Sequence, residues 1–179
     1  MTGNDRIRIV IADDQELIRA GFTMVINSQP DMQVVGQASD GAQAGGLAER
    51  LRPDIVLMDV RMPGMDGLTA TGRVTAYTHA NEEGTRHTRV IILTTFDLDE
   101  YVMSAINAGA SGFLLKDTDP ETLLASIRTV HQGNAIIAPT ATKRLIEKMM
   151  EGALASPGAP AAASRRKGGN CIKIKQNYN

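Results

Sequence analysis

The sequence has 179 residues, of which 42% are hydrophobic and 22% are charged, and its formal net charge is −1. This length favours one domain with an extension over two full domains, and the nearly neutral charge argues against a globally basic nucleic-acid-binding protein. The single cysteine, Cys171, excludes an internal disulfide and fits a reducing compartment. Because the N-terminus has no apolar signal segment and every apolar run is too short to cross a bilayer, we expect a cytoplasmic protein that does not contact membranes.

Five short apolar segments, separated by stretches of helical length, are the predicted strands. They are rich in Val, Ile and Leu and nearly continuous, which is typical of strands buried on both faces of a parallel sheet. In chain order they are Ile7–Ile11, Gln33–Ala38, Ile55–Asp59, Val90–Thr94 and Gly112–Lys116.

The segments between and after these strands are predicted helices. In the first helix, Leu17, Ile18, Gly21, Met24 and Val25 recur at helical spacing. Asp119 is the predicted N-cap of the fifth helix, which ends before a glycine. In chain order the helices are Gln15–Ser28, Ala42–Leu51, Leu68–Tyr77, Asp99–Ala108, one from Pro120 to just before Gly133, and Thr140–Glu151.

The alternation of strand and helix predicts an α/β fold with a doubly wound, five-stranded parallel sheet in the order 2-1-3-4-5. Its crossovers should be right-handed. We expect residues 6–132 to form this domain and residues 133–151 to be a connecting segment with a sixth helix. Residues 152–179 are expected to be a linker and a flexible tail, and the polar segment 78–89 should lie on the surface.

Charged and hydroxyl side chains stand where the predicted strands end. Asp13 and Asp14 follow the first strand, and Asp59 ends the third. In doubly wound sheets, ligands bind outside the carboxyl ends of the strands where the strand order reverses, so these three acids should converge. Thr94 ends the fourth strand and Lys116 the fifth, at the same edge of the sheet.

Clustered carboxylates repel one another, so this site needs a positive counter-charge. Mg²⁺ and the compact ammonium of Lys116 could both supply it. Such a set suits phosphoryl transfer to a carboxylate: the cations balance the charge on the phosphoryl oxygens, and one acid is the covalent nucleophile. Each residue alone has a simpler explanation, such as a helix cap or a surface lysine, but the combination is specific.

The segments that carry these residues resemble the receiver domains of two-component response regulators. The similarity spans about residues 6–132. Its segments Thr94–Asp97 and Lys116-Asp117 most resemble the NarL/FixJ type of transcription regulator, within the LuxR family. The matching segments are Val10–Asp14 (VIADD), Leu57–Gly67 (LMDVRMPGMDG), Leu93–Thr95 (LTT), Thr94–Asp97 (TTFD), Gly112–Lys116 (GFLLK) and Lys116-Asp117.

The resemblance implies a phosphorylation switch. Asp59 would accept a phosphoryl group from a phosphohistidine on a sensor histidine kinase. Asp14, Asp59 and the backbone carbonyl of Arg61 would bind Mg²⁺, and Asp13 would hold the site through water. Lys116 would then pair with the phosphoryl oxygens.

The resemblance also implies how the switch responds. Thr94 would move to hydrogen-bond the phosphoryl group, and Phe113 stands at the position of an aromatic rotamer switch, where Tyr is common. A buried core phenylalanine is the alternative for Phe113. Phosphorylation would shift the fourth helix, fifth strand and fifth helix, and the expected output is a homodimer. The faces of the first and fifth helices, or of the fourth and fifth, are both candidate dimer surfaces.

The C-terminus departs from this resemblance. Members of the subgroup carry a helix-turn-helix DNA-binding domain after the linker, and residues 165–179 are too few to form one. We therefore expect DNA binding only through a domain that is absent or truncated here. The alternative is a single-domain receiver that acts through protein contacts.

Two other classes use a similar fold. A haloacid-dehalogenase-type phosphohydrolase would need a second acid two residues after its nucleophile, where this sequence has Arg61. A nucleotide or flavin module would need a G-x-G-x-x-G segment or a P-loop, and the sequence has neither. We expect a signalling switch whose chemistry is limited to its own phosphorylation and dephosphorylation.

Overall fold

The computed structural model describes residues 6–80, 87–95, 98–137 and 139–154. Strands and helices alternate along them, as predicted, and most bounds agree with the prediction to within one or two residues. The elements are β1 (Ile7–Ala12), α1 (Glu16–Asn27), β2 (Met32–Ala38), α2 (Gly41–Leu51), β3 (Ile55–Asp59), α3 (Gly67–Ala80), β4 (Arg89–Thr94), α4 (Leu98–Asn107), β5 (Gly112–Leu115), α5 (Pro120–His131), β6 (Ile136–Ile137) and α6 (Pro139–Leu154).

The ends of α3 and α6 differ most from the prediction, because each helix continues three residues further. Part of the polar segment 78–89 therefore belongs to α3 rather than to a loop. Residues 81–86 of that segment and the predicted tail from residue 155 lie outside the described residues. No helix in the described ranges has the length and apolar character needed to cross a membrane.

The sheet is parallel throughout and has the order β2-β1-β3-β4-β5-β6. The predicted order of the first five strands is confirmed, but the predicted strand number is wrong. The extra strand, β6, pairs Ile136 with Gly112 and Ile137 with Phe113 of β5. Two apolar residues are too short for a periodic pattern, and tertiary pairing with β5 makes them a strand.

Helices cover both faces of the sheet and give the core two layers. In β1, Ile9 faces the layer that contains Ile26 of α1 and Ile127 of α5, whereas Val10 faces the layer that contains Val102 of α4. The central strands are therefore buried on both faces, which explains their continuous apolar sequence.

The helical spacing predicted for α1 is confirmed, but only part of the set faces the core. Ile18 and Val25 are half-buried and Ile26 is fully buried, but Leu17 is 83% exposed and Met24 is 75% exposed. Apolar residues occupy more of the circumference of α1 than the sheet can cover. The periodicity indicated a helix without indicating which apolar side chains would face the core.

The fifth helix begins as predicted. Asp119 accepts a hydrogen bond from the backbone N–H of Thr122 at 2.9 Å, and Pro120 is the first helical residue. Further along, Arg128 donates to Asp31 at 2.8 Å and ties α5 to the connection between α1 and β2. This hydrogen bond from Arg128 lowers the pKa of Asp31.

Gly67 allows the chain to turn back closely under the end of β3. Its N–H donates to the carbonyl of Val60 at 2.9 Å, and an added Cβ would lie only 1.8 Å from the carbonyl oxygen of Asp59. That oxygen belongs to the backbone and cannot rotate away. The first residue of α3 must therefore be glycine for Asp59 and the following loop to keep their positions.

We predict that Gly67→Ala destabilises the domain by about 2 kcal/mol or more, because the clash with the backbone forces β3 and α3 apart. Gly72→Ala on the same helix is the matched control, since an added Cβ there meets nothing within 4 Å. This control should stabilise the protein by roughly 0.5–1 kcal/mol through helix propensity. Urea unfolding of both variants measures the difference, and equal stability would contradict the role given to Gly67.

Candidate functional site

The carboxyl ends of four neighbouring strands bring the candidate residues together. Asp13 and Asp14 follow β1, Asp59 is the last residue of β3, Thr94 is the last residue of β4, and Lys116 follows β5. Carboxylate oxygens of the three acids all lie within 4.8 Å of one another. The sequence separates Asp59 widely from Asp13 and Asp14, and the parallel pairing of β1 with β3 brings it beside them.

Lys116 is buried between two of the three acids. Its Nζ lies 2.5 Å from Oδ2 of Asp13 and 3.0 Å from Oδ2 of Asp59, and all three side chains are at most 7% exposed. The backbone N–H of Lys116 donates to the carbonyl of Thr94 at 2.8 Å, which fixes the lysine at the end of β5. The ammonium is therefore held in place before any ligand arrives.

Burial and ion pairing oppose each other at this site. Desolvation raises the pKa of Asp59 above its ordinary value, although the hydrogen bond and charge of Lys116 act to lower it. For Lys116, desolvation acts to lower the pKa, but the hydrogen bonds and charges of Asp13 and Asp59 outweigh it and raise the pKa. One ammonium stands against three carboxylates, so the site keeps an excess of negative charge.

Asp13 and Asp14 have different surroundings although they are adjacent. Asp13 is 1% exposed, and its Oδ1 accepts from the backbone N–H of Gln15 at 2.9 Å. Its buried Oδ2 contacts the ammonium of Lys116 and has no other donor among the described residues. Asp14 is exposed and lines the cavity beside the acids. Asp14 can therefore offer oxygens to a ligand that enters from solvent.

The acid cluster fits a hard cation. It offers only oxygen ligands, and within the described part of the chain the buried Oδ2 of Asp13 has no donor besides Lys116. Mg²⁺ prefers one or two carboxylates and retains several waters, which suits a site with one exposed and two buried acids.

Thr94 and Phe113 lie on the strands beside the acids. Thr94 is 5% exposed at the end of β4. Phe113 is 2% exposed and belongs to the core layer that also contains Val102 and Ala105 of α4. The alternative of a core phenylalanine thus describes where Phe113 lies, in a core layer to which α4 also contributes.

A cavity of about 500 Å³ opens beside the acid cluster and contains residues that the sequence did not single out. Tyr101 of α4 forms one wall, and Arg61 extends over its ring. Only the scarcity of aromatic residues, three Tyr and three Phe in the whole chain, could have drawn attention to Tyr101. The lining residues are Asp14, Val60, Arg61, Met62, Pro63, Asp66, Leu68 and Tyr101.

A doubly wound parallel sheet with an acid cluster and a lysine at its carboxyl edge defines an α/β domain of the receiver type. Residues 9–128 match the family model of the response regulator receiver domain. The chain belongs to this family, and it is a receiver domain of the NarL/LuxR type.

Curated proteins similar to this chain include a transcriptional regulatory protein and oxygen regulatory proteins of bacteria. An uncharacterized transcriptional regulatory protein of Bacillus subtilis, YxjL, is 44% identical over 144 residues, which are 80% of this chain and 63% of that protein. The oxygen regulatory protein NreC of Staphylococcus carnosus is 37% identical over 145 residues, 80% of this chain and 64% of that protein. The chain thus spans a little under two thirds of the length of these relatives.

Solved structures show the same fold. A LuxR-family two-component response regulator from Aurantimonas sp. SI85-9A1 has a TM-score of 0.72 and 30% identity, covering 81% of this chain and 99% of that one. The receiver domain of the response regulator NarL from Mycobacterium tuberculosis has a TM-score of 0.66 and 34% identity, covering 73% and 99%.

We predict that Asp59→Asn stabilises the protein by about 1–2 kcal/mol at neutral pH, because it removes excess negative charge and leaves Lys116 paired with Asp13. A pKa raised by folding stabilises the fold below the unfolded value of 3.8, and this contribution is lost as the pH rises through the folded pKa of Asp59. The advantage of the variant should therefore shrink as the pH falls and Asp59 becomes protonated.

Thermal unfolding in the presence of a chelator measures this effect from neutral to acidic pH. Asp40→Asn is the control, since Asp40 caps α2 away from the site and Asn also serves as an N-cap. An advantage of Asp59→Asn that grew towards acidic pH would contradict the electrostatic account.

Proposed function

We propose that this protein is the phosphoacceptor of a two-component phosphorelay and that Asp59 receives the phosphoryl group from a sensor histidine kinase. The observation that carries the proposal is the burial of Lys116 between Asp13 and Asp59, at an edge where Asp14 adds a third carboxylate. A nucleophilic carboxylate with a fixed ammonium beside it is the arrangement that phosphoryl transfer needs.

In the reaction, an oxygen of ionised Asp59 attacks the phosphorus atom, and the bond from phosphorus to the donor imidazole nitrogen breaks. The imidazole leaves with the bond electrons and takes up a proton. Lys116, already within 3.0 Å of Asp59, would pair with the transferred oxygens. Asp14, Asp59 and the carbonyl of Arg61 would hold Mg²⁺, with Asp13 acting through water, and this ion would neutralise charge on the phosphoryl oxygens.

The same residues favour a switch over a hydrolase. The position two residues after Asp59 is occupied by Arg61, which cannot act as the general acid or base of an aspartyl phosphohydrolase. The aspartyl phosphate would therefore persist long enough to act as a signal. We infer that the protein does not turn over phosphate esters.

The response would pass to α4 and β5. Thr94 lies at the end of β4 and could donate its hydroxyl to a phosphoryl oxygen. Phe113 packs in the core layer beneath α4, so a change of its rotamer would require α4 to move. We assign any control of transcription to sequence outside the receiver domain, because the described helices are committed to covering the sheet or, in α6, to packing against α4.

The exposed face of α1 is our choice for the dimer surface, with a second copy of this chain as its partner. Helix α6 packs against α4 and therefore covers part of the alternative surface, which α4 and α5 would form. On α1, exposed Leu17 and Met24 flank Gly21, where an added Cβ would meet nothing within 4 Å, so a second helix could approach closely. Ala20 is exposed on the same face and completes an uncharged stripe. Two-fold symmetry would place this stripe against its own copy, which buries the apolar side chains of both.

We predict that acetyl phosphate with Mg²⁺ adds a single phosphoryl group to the protein and that Asp59→Asn abolishes this addition. Asp14→Ala should slow it at least tenfold, because the metal loses a carboxylate. Intact-mass spectrometry measures the adduct, and Asp40→Asn should behave as wild type because Asp40 lies outside the site. An undiminished adduct in Asp59→Asn would place the phosphoacceptor elsewhere.

We predict that the phosphorylated protein dimerises and that Leu17→Glu weakens the dimer at least tenfold, because the substitution brings two like charges together across the two-fold axis. Met149→Glu is the control, since Met149 is 63% exposed on α6, away from the proposed surface. Sedimentation velocity measures both. Dimerisation that is lost in Met149→Glu but kept in Leu17→Glu would contradict the choice of α1.

A further inference from the structure

Arg61 connects the phosphoacceptor loop to α4 through its side chain. Its guanidinium carbon lies 5.9 Å from the centroid of the Tyr101 ring, within the range of a cation–π contact. Both residues line the cavity beside the acid cluster, and Asp14 lines the same cavity. The guanidinium is thus held against α4 at the wall of this cavity.

The backbone of Arg61 belongs to the site itself. Its N–H donates to Oδ1 of Asp59 at 3.4 Å, a long hydrogen bond that leaves the peptide room to adjust. The neighbouring residues Val60 and Met62 are buried, whereas Arg61 is exposed. Burial of Val60 and Met62 anchors this loop in the core, and the side chain of Arg61 adds a second contact, to α4.

Tyr101 is a firm partner for this attachment. It is half-buried and packs against the core layer that contains Val102 and Ala105 of the same helix. Because packing already fixes the ring, little further side-chain entropy is lost when Arg61 settles on it. The ring links the loop after β3 to α4, which in turn packs against α6.

We propose that Tyr101 is a positioning residue that acts through Arg61: its ring holds the Arg61 side chain so that the peptide carbonyl of Arg61 faces the metal site. This inference rests on the proposed function, in which that carbonyl is a ligand of Mg²⁺. Linkage makes this coupling reciprocal: if the contact between Arg61 and Tyr101 strengthens Mg²⁺ binding, then Mg²⁺ binding stabilises the contact by the same free energy. Occupation of the site thereby biases the position of α4 by a route that does not involve Thr94.

The test is a double-mutant cycle on Mg²⁺ affinity, measured by isothermal titration calorimetry with magnesium chloride. Its variants are Arg61→Met, Tyr101→Leu and the two combined. A cation–π contact at an exposed site contributes about 0.5–1 kcal/mol in total, which sets the upper limit of its coupling to metal binding, so each single variant should weaken binding by up to about two- to fivefold. The combined variant should be no weaker than either single one. Tyr101→Phe keeps the aromatic face and should bind Mg²⁺ as wild type does.

Additive effects in the cycle, or wild-type affinity in Tyr101→Leu, would overturn the inference. Loss of affinity in Tyr101→Phe equal to that in Tyr101→Leu would also overturn it, because the hydroxyl rather than the ring would then matter. Arg61→Met guards against a folding defect, since Arg61 is exposed and its replacement leaves the core intact.

Asp14→Ala separates this inference from the proposed function. If Asp14→Ala binds Mg²⁺ as wild type does, the proposed metal site is wrong and the inference falls with it. If Asp14→Ala loses the metal while Tyr101→Leu retains full affinity, only the role of Tyr101 is wrong.

Discussion

The ammonium of Lys116 lies buried between the carboxylates of Asp13 and Asp59, and the rest of the site depends on this contact. A charge removed from water is tolerated when opposite charges and hydrogen bonds replace its hydration. The lysine places its ammonium beside two buried carboxylates where apolar strands surround them, and it partly offsets the burial that raises the pKa of Asp59. With Asp14 nearby, the acids still outnumber it, so the site retains the negative charge that attracts a cation.

The backbone gives these side chains little freedom. The acids and the lysine stand at the ends of paired strands or directly after them, and the loop after Asp59 turns back so closely that Gly67 has no room for a Cβ. A site built on rigid elements loses less entropy when a ligand binds, because its groups are already in position. The remaining freedom lies in exposed side chains such as Asp14 and Arg61.

The site and the core share residues, so a structural change at the carboxyl edge of the sheet would also affect the packing of the core. Phe113 and Tyr101 pack with α4 in one layer, and β6 extends the sheet beside Phe113. A close-packed layer has few intermediate arrangements, so under the proposed function a change at the carboxyl edge would be transmitted as a shift between packed states. Because α6 packs on α4, a shift of α4 would also move α6.

The sequence by itself determined the alternating elements, the order of the first five strands and the residues at their carboxyl ends, since these follow from local periodicity and from the rules of doubly wound sheets. It could not determine that Leu17 and Met24 of α1 face solvent, that Ile136 and Ile137 form a sixth strand, or that Tyr101 meets Arg61. Each of these depends on which surface a neighbouring element leaves uncovered. Contacts between segments far apart in the chain decide which surfaces are covered, and the periodicity within one segment does not predict those contacts.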